Sequence, residues 1–283
     1  MSPIDLPLFR RDDCPAATQL TVPTTRQWLF FGDRLLCQQG KPCWLPVSDQ
    51  LLREQQLLVL GEVDGVTLVA QEVGDESAHA GEWLSLRELL AELDHASLQA
   101  VMTARAGHRW AARSRYCGAC GSANLALAAD WSRQCSNPSC QQRQFPRLDP
   151  AVIVLVSYGE HCLLGRSPTW PGHRYSTLAG FVEPGETLEQ AVAREVHEEA
   201  GVSLAEIEYV ASQPWPFPSS LMLGFQARAA SEHIRCGEEL ADVGWFSRRD
   251  IAQRQASGEL SLPPAGAISR RLIDDWIFQV APV

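Results

Sequence analysis

One stretch, GFVEPGETLEQAVAREVHEEAGV from Gly180 to Val202, constrains this chain more than any other. It gathers six glutamates into 23 residues. Thr187 and Gln190 have the form of a capping box, which predicts a helix beginning there. Ala191, Val192 and Val196 follow at a spacing that can face a core. Glu195, Glu198 and Glu199 stand at i, i+3 and i+4, so their carboxylates fall on one side of that helix. Like charges so placed repel, and Arg194 alone cannot neutralise three of them. A hard divalent cation can, because it takes carboxylate oxygens and water as ligands. The plainer alternative is a solvated acidic face closed by Gly201 at the helix C-terminus.

The full pattern is G-x5-E-x7-R-E-V-x-E-E-x-G-V, carried by Gly180, Glu186, Arg194, Glu195, Val196, Glu198, Glu199, Gly201 and Val202. It resembles the Nudix box at every defined position. The resemblance implies a loop-helix-loop inside an α/β/α sandwich, and hydrolysis of a nucleoside diphosphate linked to a second moiety. It implies Glu195 and Glu199 as principal ligands of Mg2+ or Mn2+, more than one ion being expected. Glu198 ligates or supports, Arg194 orients a glutamate by ion pairing, and Glu186 acts at one remove or through water. The backbone carbonyl of Ala179 is a further ligand by the same resemblance. Such cations shield the charge of a pyrophosphate bridge and lower the pKa of water.

Behind the box lies SQPWPFPSS, Ser212 to Ser220. On its residues alone it is either a rigid proline loop with Trp215 and Phe217 capping a core, or a stacking surface for flat rings. It resembles the signature of the NADH pyrophosphatase (NudC-type) subfamily. That resemblance implies NAD(H) as substrate, cleaved to AMP and nicotinamide mononucleotide. It places Gln213, Pro214, Trp215, Pro216, Phe217, Pro218, Ser219 and Ser220 along the substrate. Phe181 and Phe145 fall where the family sets rings around adenine, Phe145 standing where a tyrosine is usual. Glu239, six residues before Trp245, matches a metal-binding glutamate, with Glu238 as the competing choice. Ser269 replaces a small substrate-contacting residue, usually alanine, or is simply a helix N-terminal serine. Asp130 and Arg87 match an acidic contact and an arginine reaching the substrate. Bacterial members remove NAD caps from RNA, and members are typically homodimers. Two rivals stay open: a Nudix hydrolase of ADP-ribose or another dinucleotide, and an inactive zinc-ribbon RNA-binding protein.

Cys117 and Cys120 form C-x2-C, and Cys135 and Cys140 form C-x4-C fourteen residues further on. Two close pairs at this separation suit a tetrahedral four-thiolate zinc site. Four reduced cysteines or a redox pair are the alternatives. The family carries a zinc ribbon here, which implies one structural zinc per chain. Cys14, Cys37, Cys43, Cys162 and Cys236 have no partner at ligand spacing and read as buried or incidental.

Bulk properties narrow the rest. The 283 residues suffice for two domains or one large domain with an insert. A net charge of −10 argues against non-specific coating of nucleic acid or anionic membrane. No apolar run approaches the ~18 residues of a membrane span, and no signal-like apolar core opens the chain, so a cytoplasmic protein is expected. Between His108 and Asp149, however, six arginines (109, 113, 115, 133, 143, 147) face two aspartates (130, 149). This region is either a solvated face or a phosphate-binding strip for an RNA tail.

Residues 27–37 and 57–73 read as short strands joined by Gly-Asp and Asp-Gly turns. Ser85 and Glu88 have capping-box form and predict a helix or helix pair ending near Arg113. Residues 150–167 read as a hairpin and 207–230 as two strands around the proline loop. Residues 241–251 read as a strand entering a helix, with a last helix near Ser269. The expectation is an α+β / α/β chain: a mixed, β-rich domain over 1–112, a four-cysteine zinc ribbon over 113–145, and a Nudix α/β/α sandwich over 146–283.

Overall fold

A computed structural model describes residues 21, 23–48, 58–63, 66–126 and 131–278. The chain separates into two compact units, Met1–Arg147 and Leu148–Val283.

In the first unit the strands are β1 (Thr25–Phe31), β2 (Arg34–Gln38), β3 (Lys41–Pro42), β4 (Leu45–Pro46), β5 (Leu58–Val63), β6 (Val66–Glu72) and β7 (Glu82–Ser85). They form one sheet ordered β3-β2-β1-β6-β5, with β4 against β1 and β7 against β2. Trp28, Leu29 and Phe30 are consecutive and all buried, so β1 is covered on both faces. Helix α1 (His95–Arg113) follows. The helix expected from Ser85 does not form there. The Glu88 carboxylate accepts from the Ser85 N–H at 3.1 Å and the Ser85 hydroxyl from the Arg87 N–H at 3.3 Å, closing a turn and a single 3-10 turn at Leu89–Ala91. The stronger start is Asp94, whose carboxylate accepts from the Ser97 N–H at 3.0 Å. The predicted end at Arg113 is met. The ribbon strands β8 (Asn124–Ala126), β9 (Arg133–Cys135) and β10 (Arg143–Gln144) make a small antiparallel sheet in this same unit.

In the second unit, β11 (Asp149–Tyr158) is the central strand. It is followed by β12 (His161–Arg166), β13 (Leu178–Phe181), α2 (Leu188–Ala200), β14 (Leu204–Trp215), β15 (Ser220–Ala229), β16 (Asp242–Ser247), α3 (Arg248–Ser257) and α4 (Ile268–Ile277). The sheet runs β14-β15-β11-β12-β16. β15 is parallel to β11, whereas β13 and β12 pair antiparallel with successive halves of its other edge. The two-residue period of β11 divides the core. Val152, Val154 and Val156 join Ala191, Val192, Val196 and Ala200 of α2 in one buried cluster. Ile153 and Leu155 join Ile251 of α3 and Ile268, Leu272 and Ile273 of α4 in another. Two apolar layers with helices outside them are the expected α/β/α sandwich. Among the described residues no helix is long and apolar enough to cross a membrane.

The buried stripe of α1 is Val101, Ala104, Arg105 and His108. Arg105 pairs with Asp33, but His108 Nε2 is buried without a hydrogen-bond partner. Burial first, and the Arg105 charge second, push the His108 pKa from 6.5 down to about 4. Between these values the unfolded chain binds the proton and the folded chain does not, so stability falls as pH drops through the window. The first unit should therefore lose roughly 3 kcal/mol between pH 6.5 and pH 4 from this group. Denaturant unfolding across that range should show the slope in the parent chain and a flattened slope in His108→Gln.

Candidate active site

Helix α2 presents its acids as the local sequence dictates. The Thr187 hydroxyl accepts from the Gln190 N–H at 3.3 Å and the Gln190 side chain accepts from the Thr187 N–H at 2.9 Å, completing the capping box. Gly201 closes the other end at φ 68°, a left-handed conformation suited to glycine. Between them, Arg194 is the hub. Its Nε and Nη2 donate to the two oxygens of Glu186 at 2.6 and 3.0 Å, and Nη1 donates to Glu195 at 2.9 Å and Glu198 at 3.1 Å. Nη2 also donates to the Phe181 carbonyl at 2.8 Å, tying the helix to the end of β13. The guanidinium holds the Glu186 carboxyl below its ordinary range, and the Glu183 N–H adds to this.

Glu199 differs from its neighbours. It is buried, and its Oε2 has no hydrogen-bond partner. Burial, then the charges of Glu195 and Glu239, push its pKa up to about 8, against the opposing Ala179 N–H. Glu195 is shifted upward too, chiefly by burial. Glu239 adds to the upward shift of both, which brings the acid six before Trp245 to the same place. A buried carboxylate oxygen with no donor, set among other carboxylates, fits a hard divalent cation. Two glycines make the arrangement possible. A Cβ at Gly180 would overlap the Glu195 carboxyl group, and one at Gly237 would overlap the Glu198 carbonyl. The sequence reading missed Gly237; its place two residues before Glu239 was the available signal.

Residues 212–220 form the end of β14, a turn, and the start of β15. Trp215 and Phe217 meet edge to face at 5.1 Å, both half-buried, while Pro216 is buried. Phe181 is exposed beside the box. Pro214 is exposed, Pro218 half-buried, and Ser220 buried. The Ser219 hydroxyl donates to Asp149 at 2.7 Å. Gln213 is used internally: its Nε2 donates to the Gly266 carbonyl at 2.7 Å and its Oε1 accepts from the Ile268 N–H at 2.8 Å. Gln213 thereby clamps the start of α4, where Ser269 is buried.

In the first unit, the thiols of Cys117, Cys120, Cys135 and Cys140 all lie within 4.8 Å of one another. Cys117 and Cys140 sulfurs are 3.9 Å apart and Cys120 and Cys135 sulfurs 3.5 Å. Sulfurs placed tetrahedrally around zinc are about 3.8 Å apart, so the quartet fits zinc, and the longer second pair does not disturb it. Cys37 and Cys162 are buried with pKa values raised to about 11 and about 12, chiefly by burial, as inert thiols should be. Cys43 is half-buried, Cys236 exposed, and Cys14 lies outside the described residues. So does Asp130. Arg87 is exposed in the turn after β7. Phe145 is exposed, with the Arg143 guanidinium 5.1 Å from its ring centroid.

The Gly180 contact generates a test. The atom it would displace is the end of a flexible side chain, so Gly180→Ala should barely alter stability while moving the Glu195 carboxylate. A fall in turnover of roughly a hundredfold, with an unchanged melting temperature, is the expected pair of measurements.

Comparison with known proteins agrees with this geometry. Residues 147–264 match the NUDIX domain family, and residues 112–145 match the NADH pyrophosphatase zinc ribbon domain. The chain is 44% identical over 223 residues to the NAD-capped RNA hydrolase NudC of Chromobacterium violaceum, covering 78% of this chain and 83% of that protein. It is 40% identical over 229 residues to the protein of the same name from Stutzerimonas stutzeri, covering 80% and 78%. With that of Pseudomonas fluorescens the identity is 37% over 233 residues, covering 80% and 81%. A box whose acids converge on one arginine, a ribbon whose thiols converge on one point, and relatives of near-equal extent place this chain in the NADH pyrophosphatase (NudC-type) family of Nudix hydrolases, enzymes acting on pyrophosphate bonds.

Proposed function

We propose that this protein hydrolyses the pyrophosphate bridge of NAD(H) to AMP and nicotinamide mononucleotide, and removes NAD caps from RNA. The observation that carries the reading is the presence, in one unit, of the acid cluster of α2 and the ring-bearing turn at Trp215 and Phe217, in a chain whose relatives are named NAD-capped RNA hydrolases. Glu195, Glu199, Glu239 and the Ala179 carbonyl would hold Mg2+ or Mn2+. When bound, such a cation shields the bridge and lowers the pKa of water. Glu198 supports the ligands, and Arg194, with Glu186 behind it, fixes the rotamer of Glu195. A carboxylate of the cluster left free accepts the proton of the attacking water. Water adds to one phosphorus, the bridging P–O bond breaks, and the elements of water divide between two phosphomonoesters. Trp215, Phe217 and Phe181 supply ring faces for the base and nicotinamide. Ser219, Ser220 and Ser269 lie along the remainder, while Gln213 sets the position of Ser269.

We read the chain as three parts, 1–112, 113–145 and 146–283, with one structural zinc in the middle part. A homodimer in the cytoplasm is the setting we infer from the resemblance.

Chromatography of products tests the reading. NADH and NAD-capped RNA, with Mg2+ or Mn2+, should yield AMP plus reduced nicotinamide mononucleotide and 5′-monophosphate RNA respectively. Faster turnover of ADP-ribose or a diadenosine polyphosphate would transfer the assignment to that substrate. Glu199→Gln should keep its fold and lose roughly a thousandfold in turnover, the several kcal/mol that metal ligation supplies. Arg113 and Arg115 are exposed, whereas Arg143 also donates to the Ser132 hydroxyl at 2.9 Å. Reversing the charge of the first two should weaken capped-RNA processing about tenfold or more and spare NADH; equal losses on both would remove the RNA strip from the account.

A further inference from the structure

Glu239 sits in residues 230–241, which join β15 to β16 without regular structure. A ligand on such a segment must be held by something else. On the leading side, the Arg235 and Gly237 N–H groups donate to the Ala200 and Glu199 carbonyls at 2.8 and 2.9 Å. These bonds fasten the segment to the last turn of α2. Within the segment, the Cys236 thiol lies 3.5 Å from the Leu240 carbonyl. On the trailing side, the Leu240 side chain rests over Gly165, where a Cβ would stand 2.9 Å from Leu240 Cδ1 and 2.8 Å from Leu178 Cδ2. The Ala241 N–H donates to the Arg166 carbonyl at 2.8 Å.

Asp242 also pairs with Arg166 in the β12–β16 ladder, and the Trp245 Nε1 donates to the Glu232 carbonyl at 2.8 Å. A further trailing fastener joins two side chains. The Tyr175 hydroxyl donates to the carboxylate of Asp242, three residues beyond Glu239. Tyr175 is a fixed post. It is 8% exposed, meets Phe246 edge to face at 5.2 Å, and its N–H donates to the Ser261 carbonyl at 3.0 Å. A buried tyrosine hydroxyl needs partners, and here they are the Arg166 side chain and Asp242, the residue at which the segment enters β16. We propose that Tyr175, acting through Asp242, is a positioning residue for Glu239: it fixes the trailing end of the segment so that Glu239 stays opposite Glu195 and Glu199. The inference rests on the reading of Glu239 as a metal ligand given above.

Tyr175→Phe removes the hydroxyl and keeps the ring. Mn2+ affinity is measured without substrate, by the paramagnetic resonance signal of free Mn2+, in the parent, Tyr175→Phe, Asp242→Ala, the double variant and Glu239→Gln. Tyr175→Phe and Asp242→Ala should each weaken Mn2+ about tenfold, the scale seen when a group that orients a ligand is lost. The double variant should lose no more than either single one. At saturating Mn2+, turnover and KM for NADH should return to within about twofold of the parent, because the ligand itself is intact. Loss of turnover that saturating Mn2+ does not restore would mark a general structural role and overturn the proposal. So would unchanged Mn2+ affinity in Tyr175→Phe and Asp242→Ala while Glu239→Gln weakens binding. If Glu239→Gln itself leaves Mn2+ binding intact, the ligand assignment fails, and the positioning proposal falls with it.

Discussion

A single guanidinium sits among acids that would otherwise repel one another. Arg194 donates to Glu186, Glu195, Glu198 and the Phe181 carbonyl. Three glutamates on one side of a short helix weaken it, and the paired arginine offsets part of that repulsion while keeping itself firmly protonated. It also joins three separate pieces of chain: the strand end at Phe181, the loop at Glu186 and the helix. Glu199 lies outside this hydrogen-bonded set, with a buried oxygen left unsatisfied. The site is thus divided between acids held by an internal cation and a buried acid outside that hydrogen-bonded set.

The sandwich supplies the platform. The register Ile153↔Ala179 and Ala151↔Phe181 ties the strand before the box to the central strand, and α2 packs its apolar side on alternate residues of that same strand. The acids therefore stand on a helix packed against the central strand. The close approach at Gly180 shows how little space is left between strand and helix: even one methyl group would reach the Glu195 carboxyl.

Features set by neighbouring residues were legible in the sequence. The capping box of Thr187 and Gln190, the i, i+3, i+4 placement of acids and the paired cysteines are short-range patterns, and each stands as expected. The two strands around the proline loop were legible for the same reason. Ser85 and Glu88 show the limit of a local pattern. They make a capping-type turn, but Asp94 starts the helix, since a cap needs a continuing helix to cap. Gln213 has internal partners that no local pattern names. Its partners lie 53 and 55 residues away, and only the fold brings them within reach. The nearness of Glu239 to Glu195 and Glu199 is of the same kind, reached across an approach to α2 that Gly237 permits and no spacing rule encodes.

The Gln213 amide has a mechanical consequence. It grips Gly266 and Ile268 with its donor and its acceptor at once, while its backbone leads directly into Trp215 and Phe217. The aromatic turn and the C-terminal helix are therefore yoked. A guest molecule that prised the two rings apart would either snap both halves of the amide grip or drag the start of α4 along. Movement of the aromatic turn is thereby coupled to the first residues of α4, through one side chain instead of a slack loop.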